Sequence, residues 1–421
     1  MSWSAPSSGL APIAAPPRGR RPRRWPVILA VVLTVLALPF TGRVAWVAVA
    51  PTGDDAVAQL RALASALDQG GAARMQSLFP EGEFFTWTLT GVAAARVAQE
   101  PGTSTGDREF ARRLAGRALA AIDAPGVADR FGLGPQSGGL THGAFYRGWR
   151  LTLLREIATW DPAAATRAGA EATAILDAVD ASPSGWLDSY PGQAWPCDTV
   201  VALAAATTVD PGAAAPVVAR WRGRIAAAYD PATGLLAHRV DAAGRAVEGA
   251  RGSSQSIIAV FWPALSGDTA FWPVYTDTFV ARRLGVVGAL EYHGGGGLGD
   301  VDSGPLVLGL SASASAVTQA AARAHGDAAL ANDLNREIEL FGLPGRSGGG
   351  QTYLLGHLPV AAAFFLWADT TPMGQPMPSH APRPLWWWLA VLPLLPAAAV
   401  WSVCGGALIR RQRSRGRRVG L

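Results

Sequence analysis

Hydrophobic positions follow two patterns along this chain. Near each end lies one nearly unbroken apolar run. The first covers residues 26–50 and includes Val27-Ile28-Leu29-Ala30-Val31-Val32-Leu33; the second covers residues 385–409 and opens on Leu385-Trp386-Trp387-Trp388. A bilayer core of about 30 Å takes about 20 apolar residues in a helix, and both runs reach that length. Between them, apolar residues recur at helical spacing rather than in the alternation of strands. Six times, a short polar or Gly/Pro-rich turn leads into a strongly apolar stretch. The turns are Glu81-Gly82-Glu83, Thr141-His142-Gly143, Pro191-Gly192-Gln193, Gly252-Ser253-Ser254, Asp300-Val301-Asp302 and Thr352-Tyr353-Leu354.

Amphipathic segments carrying arginine on one face alternate with these stretches, at residues 54–78, 107–122, 162–179, 213–228, 276–284 and 327–341. Each predicts an outer helix that keeps its charged face wet and packs on an apolar inner partner. Six such pairs, closing on themselves, predict an all-α fold over residues 51–370: an (α/α)6 toroid. The repeat of about 50 residues or more is too long and irregular for tetratricopeptide or ankyrin solenoids. One exception is local. Gly234 to Val240 and Gly244 to Val247 predict a small β-hairpin.

Charge changes the picture of the ends. The chain has 36 basic residues, all arginine, against 31 acidic ones, for a net charge of +5. Arg18, Arg20, Arg21, Arg23 and Arg24 precede the first apolar run; Arg410, Arg411, Arg413, Arg415, Arg417 and Arg418 follow the second. The middle is therefore acidic. It holds no basic patch interleaved with aromatics, which excludes a nucleic-acid partner. The division that follows is a basic tail (1–25), a transmembrane helix (26–50), the helical domain (51–370), a linker (371–384), a second transmembrane helix (385–409) and a basic tail (410–421). Positive charge stays inside, so both termini are expected in the cytoplasm and the main domain outside it, at the cell membrane. Arg43 in the first run either snorkels or ends the span near Phe40. Ala48-Val49-Ala50 has the small-residue spacing of a cleavage site, but Pro51 follows it, which predicts an uncleaved anchor.

The toroid predicts where chemistry would sit. Inner helix N-termini would share one mouth, where free N–H groups favour anionic or oxygen-rich ligands. The densest candidate is Asp188-Ser189-Tyr190-Pro191-Gly192-Gln193-Ala194-Trp195-Pro196-Cys197-Asp198, which puts Tyr190, Cys197 and Asp198 at one helix entry. The other cysteine, Cys404, lies in the second apolar run, so Cys197 has no disulfide partner in the domain. Asp300 and Asp302 follow a glycine run and are two apart. They do not share a helix face, so one would cap and the other would face the mouth. His142 and Tyr146 are four apart on one face and suit acid/base work. Glu83 is a further candidate, and Glu291, Tyr292 and His293 would form a rim. Capping and core packing are the plain alternatives for every one of these residues. Metal-ligand spacings and the Gly-x-Ser-x-Gly elbow are missing, and no cofactor is expected.

The segment Tyr190-Pro191-Gly192-Gln193-Ala194-Trp195-Pro196-Cys197-Asp198, with Asp300-Val301-Asp302-Ser303-Gly304-Pro305, resembles the linalool dehydratase/isomerase family. That resemblance implies an (α/α)6 fold and a metal-independent lyase or isomerase acting on tertiary allylic terpene alcohols. It implies that Cys197 corresponds to the cysteine after Pro-Gly-Gln, and His142 to the histidine on the preceding inner helix. The family pocket uses a second cysteine, and this domain has none. Two other readings stay open. Glu83, Asp198 and Asp302 could serve a glycoside hydrolase or lyase acting on envelope glycans. The domain could also be a non-catalytic envelope binding protein. The expected partners are thus a membrane and a small amphiphilic or carbohydrate substrate.

Overall fold

The computed structural model describes residues 24–49, 56–132, 134–347 and 349–419. The arginine tail before Arg24 and the residues around Ala50 and Pro51 lie outside the described residues. The described chain is mainly helical, with a few short strands, and divides into two units: the terminal segments, and residues 45–386.

The first helix, α1 (Trp25–Val49), runs through both Pro39 and Arg43 without ending near Phe40. It is long and apolar enough to cross a membrane.

The second unit begins with α2 (Ala56–Asp68). Gly70, at φ 72°, breaks the expected single helix and starts α3 (Gly71–Gln76). Next come α4 (Gly82–Gln99), α5 (Thr105–Ile122) and one turn of α6 (Pro125–Ala128). They lead to α7 (Gly143–Ile157), α8 (Pro162–Ala181), α9 (Pro196–Val209) and α10 (Pro211–Arg224). The predicted hairpin pairs β1 (Arg239–Val240) with β2 (Ala246–Glu248). Then follow α11 (Gly252–Leu265) and α12 (Phe271–Phe279).

Here the chain departs from the expectation of an outer helix over 276–284. β3 (Val280–Arg283) and β4 (Val286–Leu290) form a hairpin instead. Its two-residue turn, Leu284-Gly285, has φ 46° and 84°, the left-handed pair that matches strand twist. β5 (Leu306–Val307) and β6 (Leu310–Ser311) extend it to a four-stranded antiparallel sheet in the order β3-β4-β6-β5. After α13 (Ala312–Ala324) and α14 (Ala328–Phe341) come β7 (Gly345–Ser347), β8 (Gly350–Thr352) and α15 (Pro359–Asp369). The described residues thus hold three small sheets where one hairpin was expected.

Two kinds of helix recur for a physical reason. Every residue of α9 from Pro196 to Ala206 is buried, and past Asp198 and Thr199 in its first turn the buried stretch is apolar on every side. By contrast, α5 buries one stripe: Ala111, Leu114, Ala115, Ala118, Leu119 and Ile122. The outer helices start cleanly because Ser104, Asp161, Asp210 and Asp327 accept hydrogen bonds from their first-turn N–H groups. The buried helices pack in order: α4 on α7, α7 on α9, α9 on α11, α11 on α13, α13 on α15, and α15 on α4. Gly148 lets α7 and α9 approach; a Cβ there would sit 2.8 Å from the Ala202 nitrogen. Between the helices, the Trp149 ring meets Phe85 at 5.3 Å, Phe261 at 5.4 Å and Trp367 at 5.7 Å.

Residues 371–384, expected as a linker, carry no helix or strand but lie along the unit. Gly374 N–H donates to the Arg323 carbonyl (2.7 Å), Leu385 N–H donates to the Gly285 carbonyl (2.8 Å), and Arg383 pairs with Asp333 (2.9 Å). The chain ends in the terminal unit with α16 (Trp387–Val391) and α17 (Leu395–Val419). Trp388–Ala407 is again long and apolar enough to span. Within that unit, Thr41 Oγ1 donates to the Ala390 carbonyl (2.8 Å), and Trp401 Nε1 donates to Thr34 Oγ1 (3.2 Å).

Candidate functional site

The entry to α9 is a built turn. Pro191 and Gly192 (φ 72°) occupy the central positions of Tyr190-Pro191-Gly192-Gln193, as a type II turn requires. The Gln193 N–H donates to the Tyr190 carbonyl at 2.9 Å, and the Gly192 N–H donates to an Asp188 carboxylate oxygen at 3.0 Å. Pro196 occupies the first position of the helix. Cys197 and Asp198 therefore stand in the first turn, each about 7% exposed. The Cys197 thiol lies 3.8 Å from Asp198 Oδ1 and points its hydrogen there.

Three other entries bring groups to the same place. Gly82 opens α4 so close to α3 that a Cβ would sit 2.1 Å from the Met75 carbonyl oxygen. That contact fixes Glu81, whose carboxylate accepts a short hydrogen bond from the Tyr190 phenol. At α11, Arg251, Ser253 and Ser254 come forward. The turn before β5 supplies Asp300 and Asp302. Asp300 Oδ1 accepts from the N–H groups of Asp302 (3.0 Å) and Ser303 (3.1 Å), while its other oxygen takes Arg251 at 2.5 Å. Asp302 keeps its side chain 46% exposed, with His238 Nε2 at 3.8 Å from its Oδ2.

These groups feel one another. Burial pushes the Asp198 carboxyl up to about 7, and the charges of Glu81 and Asp302 add to that against the hydrogen bonds of Ser189 and Cys197. Asp302 rises to about 6, through desolvation and the Asp300 charge, against the pull of Arg251. Asp302 is recessed among protein atoms yet open to water, so solvent screening makes its shift the softer of the two. The Cys197 thiol is held well above the usual range by burial and by Asp198 and Asp302, so it is a neutral thiol. Tyr190 is likewise held as the phenol, by burial and by Glu81. Its ring stacks on Phe145 at 6.1 Å and meets Trp195 edge-on at 5.8 Å, giving the cluster an aromatic wall.

The candidates chosen from sequence divide into two places. Tyr190, Cys197, Asp198 and Asp302 come together. Glu83, His142 and Tyr146 have other partners. Glu83 pairs with Arg130 at 2.7 Å. His142 adopts a left-handed conformation (φ 67°) before α7, its ring 5.3 Å from that of Tyr146. The Tyr146 phenol donates to the Ile122 carbonyl at 3.1 Å, and burial beside Asp123 pushes it up to about 12. The expected rim is also divided. Glu291 is fully buried, bonded to Arg251 (2.7 Å) and to the Ser253 hydroxyl (2.8 Å), and Arg251 lies over the Tyr292 ring; only His293 is exposed.

Glu81, Ser189, His238 and Ser254 belong to the cluster and were missed. Glu81 had a signal, since it shares a turn with Glu83. His238 had none, because its partners come from α11 and from the turn before β5. Among the described residues, no three His, Cys, Asp or Glu side chains are arranged to hold a metal ion. The chain matches no family model and no curated protein.

Proposed function

We propose that residues 45–386 form an (α/α)6 toroid anchored at a membrane by α1 and α17. Its helix-entry end would be a metal-independent acid/base site for an amphiphilic alcohol, as in the linalool dehydratase/isomerase family that the Tyr190–Asp198 segment resembles. The order of helix contacts, from α4 through α7, α9, α11 and α13 to α15 and back to α4, supports the ring. Arginine clusters outside both apolar runs support cytoplasmic termini and an extracytoplasmic domain.

The observation that carries the activity is one pair of carboxyls. Asp198 at about 7 and Asp302 at about 6 stand beside a neutral thiol and a neutral phenol. Dehydrating an alcohol needs a proton donor at the hydroxyl and an acceptor at the neighbouring C–H. Asp198, protonated near neutrality, gives its proton to the hydroxyl, and the C–O bond breaks to release water. The Asp302 carboxylate takes the proton from the adjacent carbon, and that electron pair closes the double bond. Isomerisation returns water to the other allylic carbon by the same steps reversed. The rings of Tyr190, Phe145 and Trp195 suit a hydrocarbon chain.

Asp302 also favours a second reading. Its open carboxyl, with the buried Asp198 as a second carboxyl, suits a glycoside hydrolase or lyase working on a chain that passes the mouth. Full-length protein in detergent, offered tertiary allylic terpenoid alcohols and envelope glycans, separates the readings by product analysis. Diene formation that is lost in Asp198→Asn supports the alcohol reading. Glycan cleavage alone supports the second. Tight glycan binding without turnover of either class makes the domain a binding protein.

A further inference from the structure

Both connections to the apolar spans leave the second unit along α14. At one, Arg336 donates to the Ala48 carbonyl (2.6 Å), in the last turn of α1. At the other, Glu337 Oε1 accepts from the Trp386 indole (3.1 Å) and from the Val287 N–H of β4 (2.8 Å). The turn of the β3–β4 hairpin is tied to this place. Gly285 accepts from the Leu385 N–H (2.8 Å), and Arg282 donates to the Arg383 carbonyl (2.9 Å). Leu385 stands three residues before Trp388, where the second apolar span begins. Three residues reach about 10 Å at most, so chain connectivity alone keeps the hairpin tip near the depth at which that span would enter a bilayer.

The tip has the composition of an interfacial contact. Leu284 is 68% exposed and Leu385 43%, although both are large and apolar. Arg282 is exposed and Arg283 half-buried beside Leu284. Arg383 pairs with Asp333, yet its side chain stays 64% exposed. The second carboxyl at this place, Glu337, is pushed up to about 8 by burial, so it is largely uncharged at pH 7. Leucines set among arginines suit a membrane surface, where the apolar side chains enter the acyl boundary and the guanidinium groups meet lipid phosphates. The turn Leu308-Gly309 is the internal comparison. It too holds an exposed leucine in left-handed conformation (φ 55°). It joins β5 to β6 at the far end of β4, where the Glu291 N–H donates to the Gly309 carbonyl (3.1 Å), about 20 Å from Gly285 along the strand. No arginine occurs in residues 305–311 around it. We propose that the β3–β4 turn is a third membrane contact: Leu284 and Leu385 enter the bilayer interface, and Arg282, Arg283 and Arg383 hold the phosphates of anionic lipids.

The contact rests on reading α17 as a membrane span, and Cys404, inside that span, keeps the two separable. Full-length Cys197→Ala protein carries one nitroxide at a time: on Cys404 itself or, with Cys404→Ser added, on Leu284→Cys or Leu308→Cys. Each is placed in nanodiscs of phosphatidylcholine with or without phosphatidylglycerol. Relaxation of the label by oxygen, which partitions into lipid, is compared with relaxation by a nickel chelate, which stays in water. We expect oxygen to dominate at Cys404 and at Leu284→Cys, and the chelate at Leu308→Cys. Leaving out phosphatidylglycerol, or adding Arg282→Gln and Arg283→Gln, should lower the oxygen-to-chelate ratio at Leu284→Cys severalfold and leave Cys404 unchanged. If the chelate dominates at Leu284→Cys while oxygen dominates at Cys404, the hairpin lies in water; the contact is overturned and the span stands. If the chelate dominates at Cys404, the span reading falls and the contact falls with it. A label at Leu284→Cys shielded from both relaxants is covered by a second copy or another protein, which overturns the lipid contact. Equal ratios at Leu284→Cys and Leu308→Cys overturn it as well, since the arginine-flanked turn would then differ in nothing from the bare one. A ratio that ignores lipid charge and both arginine substitutions rejects the phosphate contacts. Leu385→Cys reads the same face should the turn variant fold poorly.

Discussion

Two groups of carboxyls flank the buried helices, and their charges are answered differently. At the junction of α5, α7 and α8, Asp123 meets Arg150 (2.6 Å) and Arg167, while Glu171 meets Arg150 (2.8 Å) and Arg147. Burial pushes Asp123 up, but the two guanidinium groups outweigh it and hold the carboxyl below its ordinary range. At the α9 entry, Asp198 and Asp302 face Glu81, a thiol and a phenol, and both rise toward neutrality. The Arg251 hub lies between these extremes, with Glu291, Glu248 and Asp300 around one cation. Arginine-paired carboxyls keep one charge state and brace the fold. Carboxyls left without a cation are where a proton can move at neutral pH.

The sharpest way to break this contrast is to neutralise one carboxyl from each group. Asp198→Asn should lower turnover of the accepted substrate by about 100-fold or more, the usual size of a general-acid contribution. Glu171→Gln should leave turnover per folded molecule unchanged and cost about 3 kcal/mol in denaturant unfolding, because Arg147 and Arg150 lose a largely buried partner. Catalytic loss at Glu171 with stability retained would erase the distinction.

Stability against pH separates the groups by sign. Asp198 has a raised folded value, so the folded state holds its proton more tightly than the unfolded chain. Its effect is nil below about 4, grows as a destabilisation between about 4 and about 7, and is complete above 7. Asp198→Asn should therefore be more stable than the parent at pH 8, by on the order of 4 kcal/mol, and equal to it at pH 4. Asp123 is depressed and works the other way: its contribution is present above about 4 and lost on acidification through its lowered value. Unfolding curves of Asp198→Asn and Asp123→Asn at the two pH values should diverge in opposite senses. Parallel behaviour would mean that the α9 entry is compensated after all.

The rate profile is a finer probe. With Asp302 ionised and Asp198 protonated in the active form, kcat/KM should be a narrow bell with limbs near 6 and 7, values that belong to the pair. Asp302→Asn should remove the acidic limb. It should also move the alkaline limb to lower pH, because Asp198 loses a negative neighbour. An alkaline limb that stays in place would show that the two carboxyls do not sense each other.

The sequence was most legible where burial is one-sided or complete. The outer helices show an apolar stripe and begin at Asp161, Asp210 and Asp327; α9 is apolar from Val200 to Ala206 because every side of that stretch is covered. The hairpin of β3 and β4 was not legible, because a Leu-Gly turn in left-handed conformation looks like a helix end until Val286–Leu290 is paired. Within the site, the α9 entry stood out because Tyr190, Cys197 and Asp198 are neighbours in sequence. Glu81 lost to Glu83 because the choice between them depends on Tyr190, 109 residues away. His238 and Asp302 meet only in the folded chain.

The smallest effect tests the boundary between the two groups. Tyr146 was paired with His142 as an acid/base candidate, and the two rings are neighbours, yet its phenol is turned toward the Ile122 carbonyl and Asp123. Tyr146→Phe keeps the ring and its packing on Phe84 and Phe131, and removes the hydroxyl. The cost should be about 1 kcal/mol, one lost hydrogen bond in a place where Asp123 keeps its arginines. The pH–rate profile should not move. Tyr190→Phe removes the hydroxyl whose neighbour is Glu81, so it leaves that carboxylate without its donor beside Asp198 and Asp302. It should shift the alkaline limb upward, because an unshielded Glu81 charge raises Asp198 further. A shift in Tyr146→Phe and none in Tyr190→Phe would place the proton chemistry on the α7 side and reassign the carboxyls of the α9 entry to structure.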